Sequence, residues 1–148
     1  MGDAPGAASE RRPLRITVGD FTFTATWETE TAPLTCDAFA RLLPFRNKLI
    51  QARWSGESAW IPLGDLDVGL RVENATSYPA PGQVLLYPGG YSETEILFPY
   101  GSTCFASKLG QLAGNHFLTI VEGQEHLPEL GRTVVWQGAQ DISFEVAP

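Results

Sequence analysis

The chain has 148 residues, of which 43% are hydrophobic and 18% are charged, and these proportions are typical of a single folded domain. Its formal net charge of −7 argues against a nucleic-acid partner, because phosphates would be repelled over much of the surface. No stretch approaches the roughly 18 consecutive apolar residues that a membrane-spanning helix needs, so we expect no membrane partner.

The chain begins MGDAPGAASERRP, a stretch rich in alanine, glycine and proline. This composition predicts a disordered segment over residues 1–13, followed by a single domain over residues 14–148. The segment lacks the hydrophobic run of a secretory signal, which favours a cytoplasmic protein. Two cysteines and two histidines show no metal-ligand spacing, and no phosphate-cradling glycine loop is present. We therefore expect neither a metal nor a cofactor.

Two alternating stretches, residues 14–18 and 21–27, open the domain and are typical of β-strands. Gly19 and Asp20 between them suit a two-residue hairpin turn, because glycine accepts a positive φ angle and aspartate tolerates one. The sequence thus predicts an N-terminal β-hairpin.

A helix is predicted to follow this hairpin. Thr35 is the expected N-cap, and Asp37 in the first turn complements the helix dipole. Pro44 lacks a backbone donor and is expected to end the helix.

The rest of the chain consists of short β-rich stretches between glycine and proline turns. We predict strands at residues 48–54, 58–63, 70–73, 84–87, 95–98, 115–121, 132–137 and 142–146. Single helical turns are predicted at residues 105–112 and 127–130. Many short strands with one convincing helix predict a mainly β fold, a closed barrel with one main helix and short helical turns, since closure removes exposed strand edges.

Three segments carry a resemblance to a known group of proteins: ARWSGESAWIPLGD, LLYPGGYSETEILFPYG and FASKLGQLAGNHFLTIVEG. Together with the preceding hairpin and helix, they resemble bacterial cyclophilin-like proteins of uncharacterised function over residues 14–146. The resemblance implies the closed cyclophilin-like β-barrel, in a branch separate from the peptidyl-prolyl isomerases. The nearest counterpart of the isomerases' phenylalanine–histidine–arginine motif is Ala52-Arg53-Trp54, and their phenylalanine-methionine-glutamine-glycine-glycine segment has no counterpart here.

Several residues near the second hairpin have the chemistry of a ligand site. Arg53 lies beside Trp54, with Glu57 and Trp60 close behind. A guanidinium group flanked by indoles suits a carboxylate or imide-like ligand, because the rings stack on what the guanidinium binds. The alternative is a cross-turn ion pair between Arg53 and Glu57, with the tryptophans in the core.

Three tyrosines, Tyr87, Tyr91 and Tyr100, surround a double-glycine turn. Glycine lets a backbone approach a ligand closely, and a phenol supplies a flat surface with a polar end. We predict that these tyrosines bind ligand, with packing alone as the alternative. Lys108 is predicted to supply positive charge to an anionic ligand, with a solvated lysine as the alternative.

Proton transfer is assigned to two acids and a histidine. Glu93 and Glu95 are separated by one residue, so on a strand both point to one face. Two such carboxylates raise each other's pKa and suit general acid or base catalysis, whereas a charged strand edge is the alternative. His116 is predicted as a proton shuttle supported by Asn115 or Ser107, or else as a structural histidine.

Three functional hypotheses follow, and whether the protein is an enzyme is left open. The first is a cyclophilin-like barrel that either binds or binds and converts a small polar or anionic metabolite in a bacterial catabolic pathway. The second is a non-catalytic subunit that docks on itself or on a partner enzyme through exposed apolar residues such as Leu97, Phe98 and Tyr100. The third is a peptidyl-prolyl cis-trans isomerase.

Overall fold

Eight antiparallel strands close into a β-barrel in the computed structural model, which describes residues 11–148. The strands of the protein are, in chain order, Leu14–Val18 (β1), Phe21–Trp27 (β2), Phe45–Gln51 (β3), Gly56–Gly64 (β4), Ala75–Thr76 (β5), Gln83–Tyr87 (β6), Thr94–Thr103 (β7), Ala106–Ser107 (β8), Gly110–Gln111 (β9), Gly114–Glu122 (β10) and Gln140–Val146 (β11). The barrel follows the order β2-β1-β11-β3-β4-β7-β6-β10, and the pairing of β10 with β2 closes it. The predicted mainly β class and closed barrel are confirmed.

Two α-helices and one 3-10 turn accompany the barrel. They are Pro33–Ala40 (α1), Gln124–His126 (the 3-10 turn) and Leu127–Gln137 (α2). None of the helices in residues 11–148 is long and apolar enough to cross a membrane. The predicted strand at residues 132–137 is wrong, because these residues continue α2. One face of α2 is buried through apolar residues at helical spacing, Leu127, Leu130 and Val134. The β-branched residues within 132–137 favoured a strand in the sequence prediction.

Helix α1 begins earlier than predicted and is capped differently. Thr35 was expected to be the N-cap, but it lies inside the helix, whose N-cap position is Ala32 without a side-chain cap. The acceptor comes from a distant loop: Glu73 takes hydrogen bonds from the backbone amides of Leu34 at 3.1 Å and Thr35 at 2.8 Å. The free amides of the first turn are therefore satisfied by tertiary structure, which local sequence does not reveal.

The two faces of the barrel wall carry separate apolar clusters. On β7, Ile96 and Phe98 point into the main core, whereas Leu97 between them belongs to a second cluster. The same alternation separates Leu86 from Leu85 on β6, which pairs with β7. The second cluster therefore lies on the outer face of the barrel, over strands β4, β7 and β6.

A short hairpin, β8 with β9, covers this outer face. Its flanking residues Phe105 and Leu112 are buried in the second cluster, and the amide of Leu112 donates to the carbonyl of Phe105 at 2.9 Å. The helical turn predicted for residues 105–112 is therefore wrong. The burial of two apolar residues against the barrel, which requires the distant strands to be in place, selects an extended hairpin instead.

Three further expectations concern a loop, strand β7 and the N-terminal segment. The predicted strand at residues 70–73 is absent from the described part of the chain, and a two-residue strand follows at β5 instead. Leu97 and Phe98, expected to be exposed for docking, are buried, because Phe98 packs in the main core and Leu97 packs in the second cluster. The predicted disordered segment covers residues 1–13, of which residues 1–10 lie outside the described residues.

Candidate functional site

A cavity of about 160 Å³ lies on the outer face of the barrel, beside the covering hairpin. Three chain segments and one strand residue line it: Ala52, Arg53, Trp54, Ser55, Trp60, Ser92, Glu93, Glu95, Ala106, Ser107 and Lys108. A space of this order encloses a group about the size of a single ring, and the exposed residues Arg53, Trp54 and Lys108 at its outer side leave room for the rest of a ligand. Six of the residues predicted for the site meet here, although they span more than fifty positions in sequence.

The second hairpin and the covering hairpin are joined by a buried serine. The Ser55 hydroxyl donates to the carbonyl of Ala106 at 3.1 Å and accepts from the amide of Ala106 at 3.0 Å. The carbonyl of Ser55 also accepts from the amide of Cys104 at 3.1 Å. These bonds hold β8 against the turn between β3 and β4, and so fix the distance between two walls of the cavity.

Glu95 forms the buried acidic end of the cavity. It lies on β7, where its register partners are Tyr87 on β6 and Pro62 on β4, and only 6% of its surface is exposed. The solvated strand edge considered for this residue is therefore ruled out. Burial, and then the neighbouring charge of Glu93, raise the pKa of Glu95 to about 8. Its carboxyl group is consequently mostly protonated at neutral pH.

The outer part of the cavity is cationic and aromatic. Arg53, Trp54 and Lys108 are exposed, and the Arg53 guanidinium carbon lies 5.8 Å from the centroid of the Trp54 ring. This distance is in the range of a cation–π contact. Trp60 is half-buried and packs against the second apolar cluster, so it serves the core and the cavity wall at once.

Glu57 and Tyr100 lie elsewhere on the molecule. Glu57 makes no ion pair with Arg53 in the described structure; its carboxylate accepts a hydrogen bond from the amide of Ser102 at 2.8 Å. Tyr100 donates to the side-chain oxygen of Gln51 at 2.7 Å, and its ring lies against Gly131 of α2, where a side chain would overlap it. Both residues border a shallow groove beside α2, away from the cavity.

Tyr87 and Tyr91 support the cavity wall without lining it. The buried Tyr87 hydroxyl accepts hydrogen bonds from the amides of Tyr91 at 3.1 Å and Ser92 at 3.2 Å. Gly89 and Gly90 in this loop have φ angles of 88° and 114°, which favour glycine. Tyr87 therefore shapes the turn that presents Ser92 and Glu93 to the cavity.

His116 is placed apart from the two acids. Its Nε2 lies 2.9 Å from the Thr119 hydroxyl, which donates to Glu28 at 2.6 Å. Because that hydroxyl proton is used by Glu28, Nε2 of His116 is the donor to Thr119. Burial lowers the pKa of His116, an effect that the Glu28 charge partly offsets. Asn115, proposed as its support, instead binds Glu73, Thr35 and Arg71.

Sequence reasoning missed several small residues of the cavity: Ala52, Ser55, Ser92, Ala106, and Ser107 in this role. Small side chains leave room for a ligand, but they carry no chemical signal that distinguishes a cavity wall from an ordinary turn. The double hydrogen bond of Ser55 spans fifty-one positions, so only the folded chain reveals it. No group of three or more potential metal ligands occurs in residues 11–148.

Chemically, the cavity combines opposed charges with flat apolar surface. Two cationic groups, Arg53 and Lys108, are available to an anionic group of a ligand. Glu95, with a pKa of about 8, can donate or accept a proton near neutral pH. Trp54 and Trp60 offer ring faces for stacking.

Comparison with known proteins establishes the family. A family model described as "Protein of unknown function (DUF3830)" matches residues 14–146, so the chain belongs to the DUF3830 family. No curated protein matches the sequence. Among solved structures, McbB in complex with tryptophan is similar, with a TM-score of 0.69 and 19% identity. The match covers 89% of this chain but only 44% of that one.

A second similar structure is the solution structure of the hypothetical protein AF2241 from Archaeoglobus fulgidus. Its TM-score is 0.59 with 20% identity, over 93% of this chain and 95% of that one. At these identities the two likenesses show a shared fold. The family itself carries no assigned reaction.

Proposed function

We propose that this member of the DUF3830 family binds a small molecule with an anionic group in the cavity on the outer face of its barrel. The observation that carries the proposal is the convergence of Arg53, Lys108 and two tryptophans beside a buried acid, from segments far apart in sequence. A protein fills such a space with apolar side chains when only packing is needed. Polar groups converging in a cleft are instead the usual mark of a ligand site.

The cationic groups anchor the ligand, and the rings orient it. Arg53 and Lys108 are exposed beside the opening, where an arriving carboxylate meets them without the cost of burying a lone charge. The half-buried ring of Trp60 supplies a flat apolar wall. The similar structure of McbB in complex with tryptophan supports this role, because a protein that contains a barrel of this fold there binds a small molecule with a planar ring.

If the bound molecule is converted, Glu95 is the group we assign to proton transfer. Its pKa of about 8 keeps both protonation states accessible near neutral pH, as general acid–base catalysis requires. Glu93 tunes this pKa by its charge. His116 is not assigned to the reaction, since its imidazole is engaged with Thr119. A cyclophilin-like classification, a cytoplasmic location and assembly with itself or a partner enzyme remain predictions from the sequence.

Binding is tested by thermal unfolding and titration calorimetry at pH 7 with small aromatic and aliphatic carboxylates, imides and ureas. A ligand at ~100 times its dissociation constant stabilises the folded state by about 2.7 kcal/mol. We expect carboxylates to raise the unfolding temperature. Arg53→Ala is expected to weaken carboxylate binding about tenfold, since one charge-assisted contact is lost. Arg46→Ala, a matched change at an exposed arginine outside the cavity, is the control.

Two outcomes would overturn the proposal. One is a folded wild-type protein that responds to none of these compounds; the other is equal affinity of the wild type and Arg53→Ala for a compound that binds. A proline peptide belongs in the same screen, because faster cis–trans exchange in the presence of the protein would favour the isomerase alternative instead.

A further inference from the structure

The Glu95 side chain has no partner of opposite charge in the described structure. The residue is more than nine-tenths buried, its carboxyl oxygens are accessible only from the cavity that it lines, and within residues 11–148 they take part in no hydrogen bond or ion pair. A buried polar group without a partner costs folding free energy, and a buried carboxylate costs more. Buried ionisable groups of this kind are concentrated at functional sites, where a bound ligand can supply the missing partner.

The groups around Glu95 do not supply that partner. Glu93, which precedes β7, has the same charge and disfavours ionisation of Glu95. Across β6, the hydroxyl of Tyr87 is already occupied by two backbone amides. Arg53 from the second hairpin and Lys108 from the covering hairpin also border the cavity, but both are exposed and neither forms an ion pair with Glu95 in the described structure.

The chemistry that suits this end of the cavity is a cation. A protonated carboxyl could donate to a neutral acceptor, but that contact would use Glu95 alone and leave the charge of Glu93 unused. A basic nitrogen interacts favourably with both acids, and it removes the repulsion between them. The exposed Arg53 and Lys108 in turn suit a negative group on the same molecule.

We propose that the ligand carries a basic nitrogen that binds Glu95, in addition to the anionic group that binds Arg53 and Lys108. This inference rests on the proposed function and specifies its substrate class as amino-acid-like compounds with a planar side chain. When the ammonium group meets the neutral carboxyl, Glu95 releases its proton to solvent, and a carboxylate–ammonium pair forms. Binding near neutral pH is therefore coupled to the release of close to one proton.

Matched pairs of compounds test the inference. Each pair shares a ring and a carboxylate and differs in the amine: tryptophan against indole-3-propionate, and phenylalanine against 3-phenylpropionate. Calorimetry in two buffers of different ionisation enthalpy at pH 7 counts the protons released. We expect the amine-bearing member to bind at least tenfold more tightly and to release close to one proton, whereas the other member releases almost none.

The variant Glu95→Gln preserves the shape of the side chain but cannot ionise. In this variant the ratio of the two affinities within a pair, amine-bearing over desamino, is expected to fall to nearly one. Glu122→Gln, at an exposed position on β10 outside the cavity, is expected to leave this ratio unchanged. If the desamino acids bind as tightly as their partners, or if tryptophan binds without proton release, this inference is overturned while the anionic site stands. If no member of either pair and no other carboxylate binds, both proposals fail. Proton release by the wild type decides the question even if the variant does not fold.

Discussion

The phenol of Tyr91 donates a hydrogen bond to the carbonyl oxygen of Leu109, with 2.7 Å between the two oxygens. The bond connects the loop that carries Ser92 and Glu93 to the hairpin that carries Lys108, and so joins two walls of the cavity. We expect Tyr91→Phe to loosen the hairpin. Loss of about 1 kcal/mol speeds local opening about fivefold, which hydrogen exchange of residues 106–112 measures.

Tyr78→Phe is the matched control for this change. Tyr78 is exposed, and its hydroxyl forms no hydrogen bond in the described structure, so exchange over residues 106–112 is expected to remain that of the wild type. Equal exchange in Tyr91→Phe and the wild type would contradict a role of the Tyr91 phenol in holding the hairpin.

Ser55 holds the same hairpin from the other side. Ser55→Ala removes both bonds to the backbone of Ala106, and we expect a loss of about 1–2 kcal/mol in the free energy of unfolding. Urea denaturation measures this loss as a lower midpoint with an unchanged slope. Ser102→Ala, at an exposed serine whose hydroxyl makes no bond in residues 11–148, serves as the comparison. Two equal midpoints would remove Ser55 from this role.

Two features of the candidate site could be predicted from the sequence: the pair of acids and the second hairpin. The two-residue period of a strand predicted that Glu93 and Glu95 share a face, and both do line one cavity. The proximity of Arg53, Trp54 and Trp60 was likewise predictable, since a hairpin turn holds its two arms together. These relations are local, so chain geometry alone determines them.

The relations that depend on distant segments could not be predicted. Periodicity assigns alternate residues to two faces, but it does not say that the outer face of β7 is covered by a hairpin beginning at Phe105. Tyr100 was grouped with Tyr91 because both are near the double-glycine turn in sequence. In the structure Tyr100 lies toward the far end of β7, where its ring contacts α2. The main chain of a ten-residue strand spans roughly 30 Å, which separates residues that look adjacent in a motif.

Glu73 offers a test of capping at long range. It accepts hydrogen bonds from the amides of Leu34 and Thr35 and from the Thr35 hydroxyl, and Thr35 is fully buried. Glu73→Ala leaves these donors without an acceptor, so we expect a loss of about 1–3 kcal/mol in the free energy of unfolding. Urea denaturation of this variant and of Glu30→Ala, an exposed glutamate, provides the comparison. A loss no greater than that in Glu30→Ala would show that α1 does not depend on this cap.

Stability as a function of pH tests the state of Glu95 without any ligand. Its pKa is about 8 in the folded protein against 4.5 for a free glutamate, so between these values the folded state holds a proton that the unfolded chain has lost. The favourable contribution of the neutral carboxyl is therefore complete below pH 4.5 and disappears as the pH rises through 8. At 1.36 kcal/mol per pKa unit, the loss between pH 5 and pH 9 is about 4 kcal/mol.

Glu95→Gln cannot ionise, so the variant should gain stability relative to the wild type as the pH rises from 5 to 9. Urea denaturation of both proteins across this range measures the difference, in which the contributions of the other titrating groups largely cancel. Glu122→Gln, at an exposed position, is expected to show no such trend. A difference between Glu95→Gln and the wild type that stays constant with pH would mean that Glu95 is ionised throughout. Its carboxylate would then require a partner within the protein, and the proton release expected on binding an amine would have no source.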